Sequence, residues 1–460
     1  MVATLALASV LAWPRSSLAH SRFPRAQNLL LNPSIPSRLV VAATYGVLLS
    51  DDHGRHWQYA CDEAYSSSED QLATTVGSLP DGAIVVTNGG SLSVATKQGC
   101  GFHEVLGETD ADGVPCFTID SHGTIVAVVA SSSSEGQAKW LEESIDGGRH
   151  FRRIGAPLTD SLLYATSVFV APSDPNRIYV SGVDTQRSGV LLRSDDRGAS
   201  FDVSLLPTDA IAKEIPSITA VSPVDSDAVY LRTDAWMPVD DPGIELAGDA
   251  LLYSDDGGRS FNELLRVSAK LFGFALSPAG DKMLVGYGDP LLGGGRLTDP
   301  TALGAYYGSA GSSELAQVFF SPVDCLTWTN AGIYACTSEA ELGFTLGLSD
   351  SASLESTGAL SLEPLLALRD SNVTPLASPQ CDAHWAETCG SWGREGCTTR
   401  SSADMTCAQQ VAGSAADGAA SASCSAVSGR PAKPSHSLTF VLLGMSISLM
   451  RPRWRKRHTR

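Results

Sequence analysis

Carboxylates carry most of the chemical capacity of this chain, with 50 Asp and Glu against 32 Lys and Arg in 460 residues and a formal net charge of −18. Two carboxylates at a fixed separation are the apparatus of glycosidic bond cleavage: one protonates the leaving group, and the other activates water or attacks carbon. With so many acids some pair always meets that criterion on paper, so no catalytic residue is assigned from it. Acidic, glycine-rich turns could instead hold calcium, but no series of ligands ending in Glu at EF-hand spacing occurs. Signatures of a serine nucleophile (GxSxG), a catalytic zinc (HExxH) and a phosphate-binding glycine loop are missing too. No CxxC occurs and the nine His are scattered, so neither a metal nor another cofactor is expected. The acidic balance excludes nucleic acid, whose phosphates need clustered Lys and Arg.

Some of the acids recur in one phrase. SDDHGRHW at 50–57, SIDGGRHF at 144–151, SDDRGASF at 194–201 and SDDGGRSF at 254–261 share Ser, any residue, Asp, any residue, Gly, two free positions and an aromatic residue. Asp52, Asp146, Asp196 and Asp256 can fold their carboxylates back onto turn amides. Ser50, Ser144, Ser194 and Ser254 add a second local hydrogen bond, and Gly54, Gly148, Gly198 and Gly258 supply the positive φ of a tight turn. Trp57, Phe151, Phe201 and Phe261 then bury a ring that locks each turn against its own hairpin. A decayed copy, ATKQGCGF at 95–102, keeps Gly99 and Phe102 but has Lys97 in place of the Asp.

These turns need strands to join. Each octet follows a short strand-like run (GVLLS, AKWLEES, GVLLRS, ALLYS), and a second phrase keeps time with the first. NPSIPSRLVV, LPDGAIVV, SHGTIVAVV, APSDPNRIYV, SPVDSDAVYL, SPAGDKMLVG and SPVDCLTW place a Pro, Asp or Gly turn before a β-rich segment, near residues 32, 79, 121, 171, 222, 277 and 321. Seven beats of about 50 residues, each with about four short strands, predict an all-β, seven-bladed β-propeller over residues 20–375. The corners of the last two blades are worn: 286–320 is Gly-rich with no legible octet, and GLSDSASLES at 347–356 is the candidate for the seventh.

The octets resemble the Asp-box, or bacterial neuraminidase repeat, shared by sialidases, sortilin-type receptors, some glucan hydrolases and a photosystem assembly propeller. The resemblance implies that each box is a structural corner between the third and fourth strands of a blade, away from the face that binds or reacts. It also raises a sialidase-like glycoside hydrolase as an alternative. That activity needs an arginine triad, a Tyr–Glu nucleophile pair and an acid/base. The F-R-I-P phrase is broken here to RFPRAQ at 22–27, and Arg38, Arg152 and Arg193 cannot be put on one face from sequence. The first reading is a non-catalytic binding module for a glycan or protein, for which a propeller offers a wide face of loops. The loops 65–71, 236–249 and 288–312 are the largest, and Trp236 beside Asp240 and Asp241 is a possible stacking platform for a ligand.

The ends of the chain give an address. MVATLALASVLAWPRSSLA at 1–19 has the apolar stretch and small-residue exit of a secretory signal. Residues 376–436 read as a cysteine-containing cap and flexible stalk, and 437–460 as a short apolar segment with a basic tail. Cys424, spacer, apolar stretch and Arg cluster resemble the C-terminal sorting signal of myxobacterial surface proteins, which would make Cys424 the processing or anchoring residue. A secreted monomer at the cell surface or outer envelope, in transient contact with the membrane through its tail, is the expectation. Ten cysteines fit export to an oxidising compartment. Cys325 and Cys336 flank an N-A-G turn and should bridge it; Cys61 is expected to pair with Cys100, Cys381, Cys389, Cys397 and Cys407 among themselves, and Cys116 with nothing.

Overall fold

Runs such as LVVAA at 39–43, buried at every position, belong to sheets covered on both faces. A computed structural model gives their arrangement. It describes residues 25–375 except Tyr45, Gln98 and the segments 66–74, 88–89, 108–111, 134–135, 208–213, 236–247, 289–299 and 369–372, and it describes Cys381. Seven antiparallel sheets follow one another, each with its strands in chain order. The blades occupy residues 26–61, 75–106, 112–154, 164–205, 214–266, 270–319 and 323–366. The first strand of every blade contacts the first strands of both neighbours, including blade 7 with blade 1, so the first strands surround the axis and the sheets close into a seven-bladed propeller.

The core is not central. It is divided into seven hydrophobic clusters, each shared by two neighbouring blades. Strand alternation distributes the residues. Leu39, Val41 and Ala43 enter the cluster between blades 7 and 1, while Val40 and Ala42 enter the one between blades 1 and 2. In blade 3, Val126 and Val128 face blade 4, and Ile125 and Ala127 face blade 2. Each fully buried Val or Leu contributes about 1.5–3 kcal/mol of transfer free energy.

The octets turn between third and fourth strands. In blade 5 Ser254 Oγ donates to Asp256 Oδ1 (2.8 Å) and accepts from Gly258 N (2.7 Å). Asp256 also accepts from Ser260 N (2.9 Å) and, on its other oxygen, from Ser260 Oγ (2.7 Å). The seventh position, free in the sequence pattern, is thus a required donor. Ser200 fills it in blade 4 (2.7 Å), and His56 and His150 fill it through Nδ1 in blades 1 and 3 (2.6 Å each).

The glycine and the ring do more than close the hairpin. Gly258 has φ +83°, and a Cβ there would lie 2.4 Å from Leu191 Cδ2 on the third strand of blade 4. Trp57 Nε1 does donate to Gly54 O within its own turn (2.9 Å). But Trp57, Phe151, Phe201 and Phe261 all pack in the cluster shared with the preceding blade, so the ring is a wedge between blades. The corner of blade 6 is SAGSSEL at 309–315, where Gly311 lies against the ring of Tyr253 in blade 5. In blade 7 a helix, Ser351–Thr357, occupies the corner, and Asp350 caps it by accepting from Ala352 N (3.2 Å).

The seventh turn beat also precedes a strand, but one strand earlier in its blade than the other six. SPVD at 321–324 leads into the first strand of blade 7, Val323–Thr329, and the N-A-G turn is the hairpin between its first and second strands. Blade number is unaffected, since one turn replaces the other. Cys325 and Cys336 are directly paired across that hairpin and form a disulfide.

Chain ends close the ring. Strand Val373–Pro375 adds parallel to the outer edge strand Trp57–Cys61 of blade 1, and Cys61 bonds to Cys381, not to Cys100. The reason is geometric. Cys61 packs on the side of blade 1 that faces blade 7, where the chain returns, whereas Cys100 lies in the cluster between blades 1 and 2. Cys381 is therefore also unavailable to the cysteines that follow it. Cys100 is disulfide-bonded to a partner outside the described residues. Cys389, Cys397 and Cys407, expected to pair among themselves, lie outside the described residues. Residues 1–24, Cys424 and the rest of 382–460 are likewise outside them. No helix among the described residues is long and apolar enough to cross a membrane.

Peptide mapping without reduction should join the Cys61 and Cys381 peptides, and replacing both by Ala should cost about 2–4 kcal/mol in denaturant unfolding. A second outcome concerns acid. Hydrogen bonds from the Ser260 hydroxyl and amide, outweighing slight burial, hold the Asp256 carboxyl down at about 2. At Asp52 burial pushes upward, but His56 and Ser50 overcome it and the carboxyl again falls to about 2. A depressed carboxyl stabilises the fold above its unfolded pKa of about 4, and that stability is lost as pH falls towards about 2. Melting temperature should drop across this window, and Asp52→Asn with Asp256→Asn should lower it at pH 6 while flattening the drop.

Candidate functional site

All first strands run the same way, so their starting ends share one face. The octets and the turns between first and second strands lie on the other face. The described strand ends that flank the long connections of the sequence (Cys61 and Thr75, Gly288 and Gly304, and Ala250 after the segment 236–247) lie at the starting-end face, while most of each connection falls outside the described residues.

A cavity of about 430 Å³ opens at that face on the axis. First strands of blades 1, 2, 4, 5, 6 and 7 wall it, with Arg232 from the second strand of blade 5. Its lining has a specific backbone origin. The pairing of first with second strand slips at Gln27, Thr166, Thr219, Phe272 and Asp324, and all five bulged residues line the cavity. A bulge puts an extra residue outside the alternation that packs blade on blade, and so frees its side chain for the axis.

The cavity holds one ion pair. Arg25 Nε donates to Asp324 Oδ2 (2.7 Å) and a second guanidinium N–H donates to Oδ1, tying blade 1 to blade 7. Asp324 is 5% exposed and Arg25 15%. The Arg25 guanidinium also lies 5.9 Å from the Phe272 ring centre. Arg232 Nη1 donates to Leu271 O (3.0 Å). Three wall hydroxyls are engaged internally: Thr166 and Ser167 each bond to Ser181, and Thr219 donates to Tyr230 O. Among the described residues Asp324 is the one carboxylate lining the cavity.

A second polar group on this face surrounds Asp249. Burial, with the nearby Asp234 charge, raises its carboxyl to about 6 against the opposing pull of Lys270 and the Leu271 amide. Such a value suits a general acid, but Oδ2 accepts from Leu271 N (3.0 Å) and Oδ1 from Lys270 Nζ (3.2 Å). With a side chain only 4% exposed, Asp249 anchors the start of blade 6.

The arginines named from sequence are elsewhere, on the octet face. Arg38 is fully buried at the start of a second strand and donates to Asp51 (2.5 Å) and Lys97 O. Arg193, beside an octet, pairs with Asp195 (2.8 Å), and Arg152 pairs with Glu143. The three belong to blades 1, 4 and 3 and do not converge. Trp236, Asp240 and Asp241 fall outside the described residues. Cys116 is free but buried, and burial pushes its thiol up to about 12, which makes it a poor nucleophile. Sequence reasoning missed Arg25, Arg232, Asp324 and the bulged residues. A bulge leaves no mark in composition, so the only signal was the position of each residue a few places after the start of a first strand.

No protein-family model matches the chain, and no curated protein matches it. Solved structures do. An ancestral GH74 enzyme superposes with a TM-score of 0.53 at 15% identity, over 74% of this chain and 46% of that one. A Hadza microbial sialidase gives 0.40 at 13% identity, over 66% and 72%. The chain thus spans about half the length of the first, and the likeness is one of fold.

Breaking the axial pair on one side should be worse than removing it. Arg25→Met should cost about 3–5 kcal/mol by stranding a buried carboxylate, and adding Asp324→Asn should recover most of that loss in urea melts.

Proposed function

We propose that this chain is an exported propeller that binds a glycan or protein ligand at the axial face without catalysing a reaction. The observation that supports this most is the axial wall: among the described residues it has one carboxylate, Asp324, with both oxygens engaged by Arg25. Glycosidic cleavage needs two carboxylates, one of them free to give a proton. The disulfides suit an oxidising compartment. We read the octets as Asp-boxes, the first 19 residues as a signal peptide, and Cys424 with the tail behind it as the means of surface display.

The alternative, a glycoside hydrolase, draws on the fold shared with a GH74 enzyme and on Asp249, whose raised carboxyl is its best acid. One experiment separates the two. Purified mature protein applied to a glycan array and a peptide array, with parallel hydrolysis of the same glycans, should show retention without turnover. Release of sugar, abolished by Asp249→Asn, would establish the hydrolase instead.

A further inference from the structure

The protein neutralises nearly every arginine it shelters. Arg25, Arg38, Arg177, Arg193, Arg197 and Arg266 are buried or half-buried, and each pairs with a carboxylate. Among the described arginines that are not exposed, only Arg232 has no carboxylate partner. It lines the axial cavity, and its one hydrogen bond runs from Nη1 to Leu271 O. In a chain with this excess of acid, an unpaired guanidinium in the wall of a partly enclosed cavity is a specific arrangement.

We propose that Arg232 is the anion-binding residue of the axial cavity and that the ligand it takes is a monocarboxylate with an apolar flank. This rests on the reading of that face as a binding site. Charge sets the valence: Arg25 and Asp324 cancel, which leaves the lining one positive charge. Geometry sets the group, since the planar guanidinium fork matches a carboxylate bidentately. The flank follows from what else is free. Phe272 is 37% exposed and Phe274 lines the cavity beside it, a surface for an apolar body. Of the polar groups in the lining, Asp324 is taken by Arg25 and the hydroxyls of Thr166, Ser167 and Thr219 by protein partners, so that Gln27, Asn28, Thr75 and Ser217 are left to meet the polar part of a ligand beside Arg232.

The test uses the mature protein and ligand-observed NMR titration. Probes are phenylacetate, a phenylalanine-terminated tripeptide as free acid, the same peptide as C-terminal amide, and N-acetylneuraminate. Both apolar acids should bind, and the one that binds more tightly tells whether a free acid or a chain terminus is the natural form. The amide should bind at least about tenfold more weakly, and Arg232→Gln should weaken the acids to a similar extent with the melting temperature kept. If Arg232→Gln fails to fold, Phe272→Ala serves: it should weaken phenylacetate and leave acetate unchanged. Equal binding of acid and amide, no binding of either acid, or indifference to Arg232→Gln would overturn the proposal, and preference for N-acetylneuraminate would overturn its apolar flank. A ligand found on the arrays that binds Arg232→Gln unimpaired would end this inference while leaving the binding function intact. An empty array would end that function.

Discussion

A four-stranded blade has two apolar faces and can bury neither of them alone. That constraint governs the rest of the molecule. In strand Leu39–Ala43 every side chain is buried, yet none is buried by its own sheet; alternate residues belong to opposite neighbours. A run of blades that does not close leaves two such faces in water, at its first and last members. Closure is therefore a condition of stability as much as of shape. The devices at the seam follow from it: the Arg25–Asp324 pair, the bond from Thr327 Oγ1 to Leu29 O (2.9 Å) and the strand Val373–Pro375.

Division of labour between the two faces comes from the same geometry. Corners on the octet face hold blades together through their glycines and aromatic wedges, so their residues answer to packing. First strands must keep their alternation to serve two interfaces, and a point substitution in that alternation would disturb one of them. The bulges resolve the conflict. Each adds a residue outside the apolar alternation that packs blade on blade, so Gln27, Thr166, Thr219, Phe272 and Asp324 can differ in chemistry while the strands around them stay in register.

Fold was legible because it is written in local chemistry and repeated. A turn that needs Ser, Asp, Gly and an aromatic residue leaves those letters wherever it occurs, and blade spacing then gives the architecture. The role of the ring was only half legible, since a sequence shows that Phe261 follows a turn but not that blade 4 receives it. The seventh octet position escaped notice because His and Ser look unlike, although both donate to the same carboxylate oxygen. The site was not legible. Its residues come from six blades, one or a few from each, and share a cavity through register slips that composition does not record. Adjacency of blades favours Cys61 with Cys100, but it carries no information on the side of the blade each sulfur occupies, and Cys61 faces blade 7 while Cys100 packs between blades 1 and 2.

The bond between Cys61 and Cys381 also decides how the molecule meets mechanical load. Val373–Pro375 lies parallel to its neighbour and is short, a contact that tension along the chain would shear apart within a few hydrogen bonds. A pull from beyond Cys381 reaches the disulfide before it reaches that strand, and passes covalently into the outer strand of blade 1. The two cysteines are 320 positions apart, and the chain between them, which includes all of the other six blades, is spared the force. A propeller hauled by its C-terminal side under flow or drag would keep its seam shut, and its axial cavity unstrained, for as long as that one bond stays oxidised.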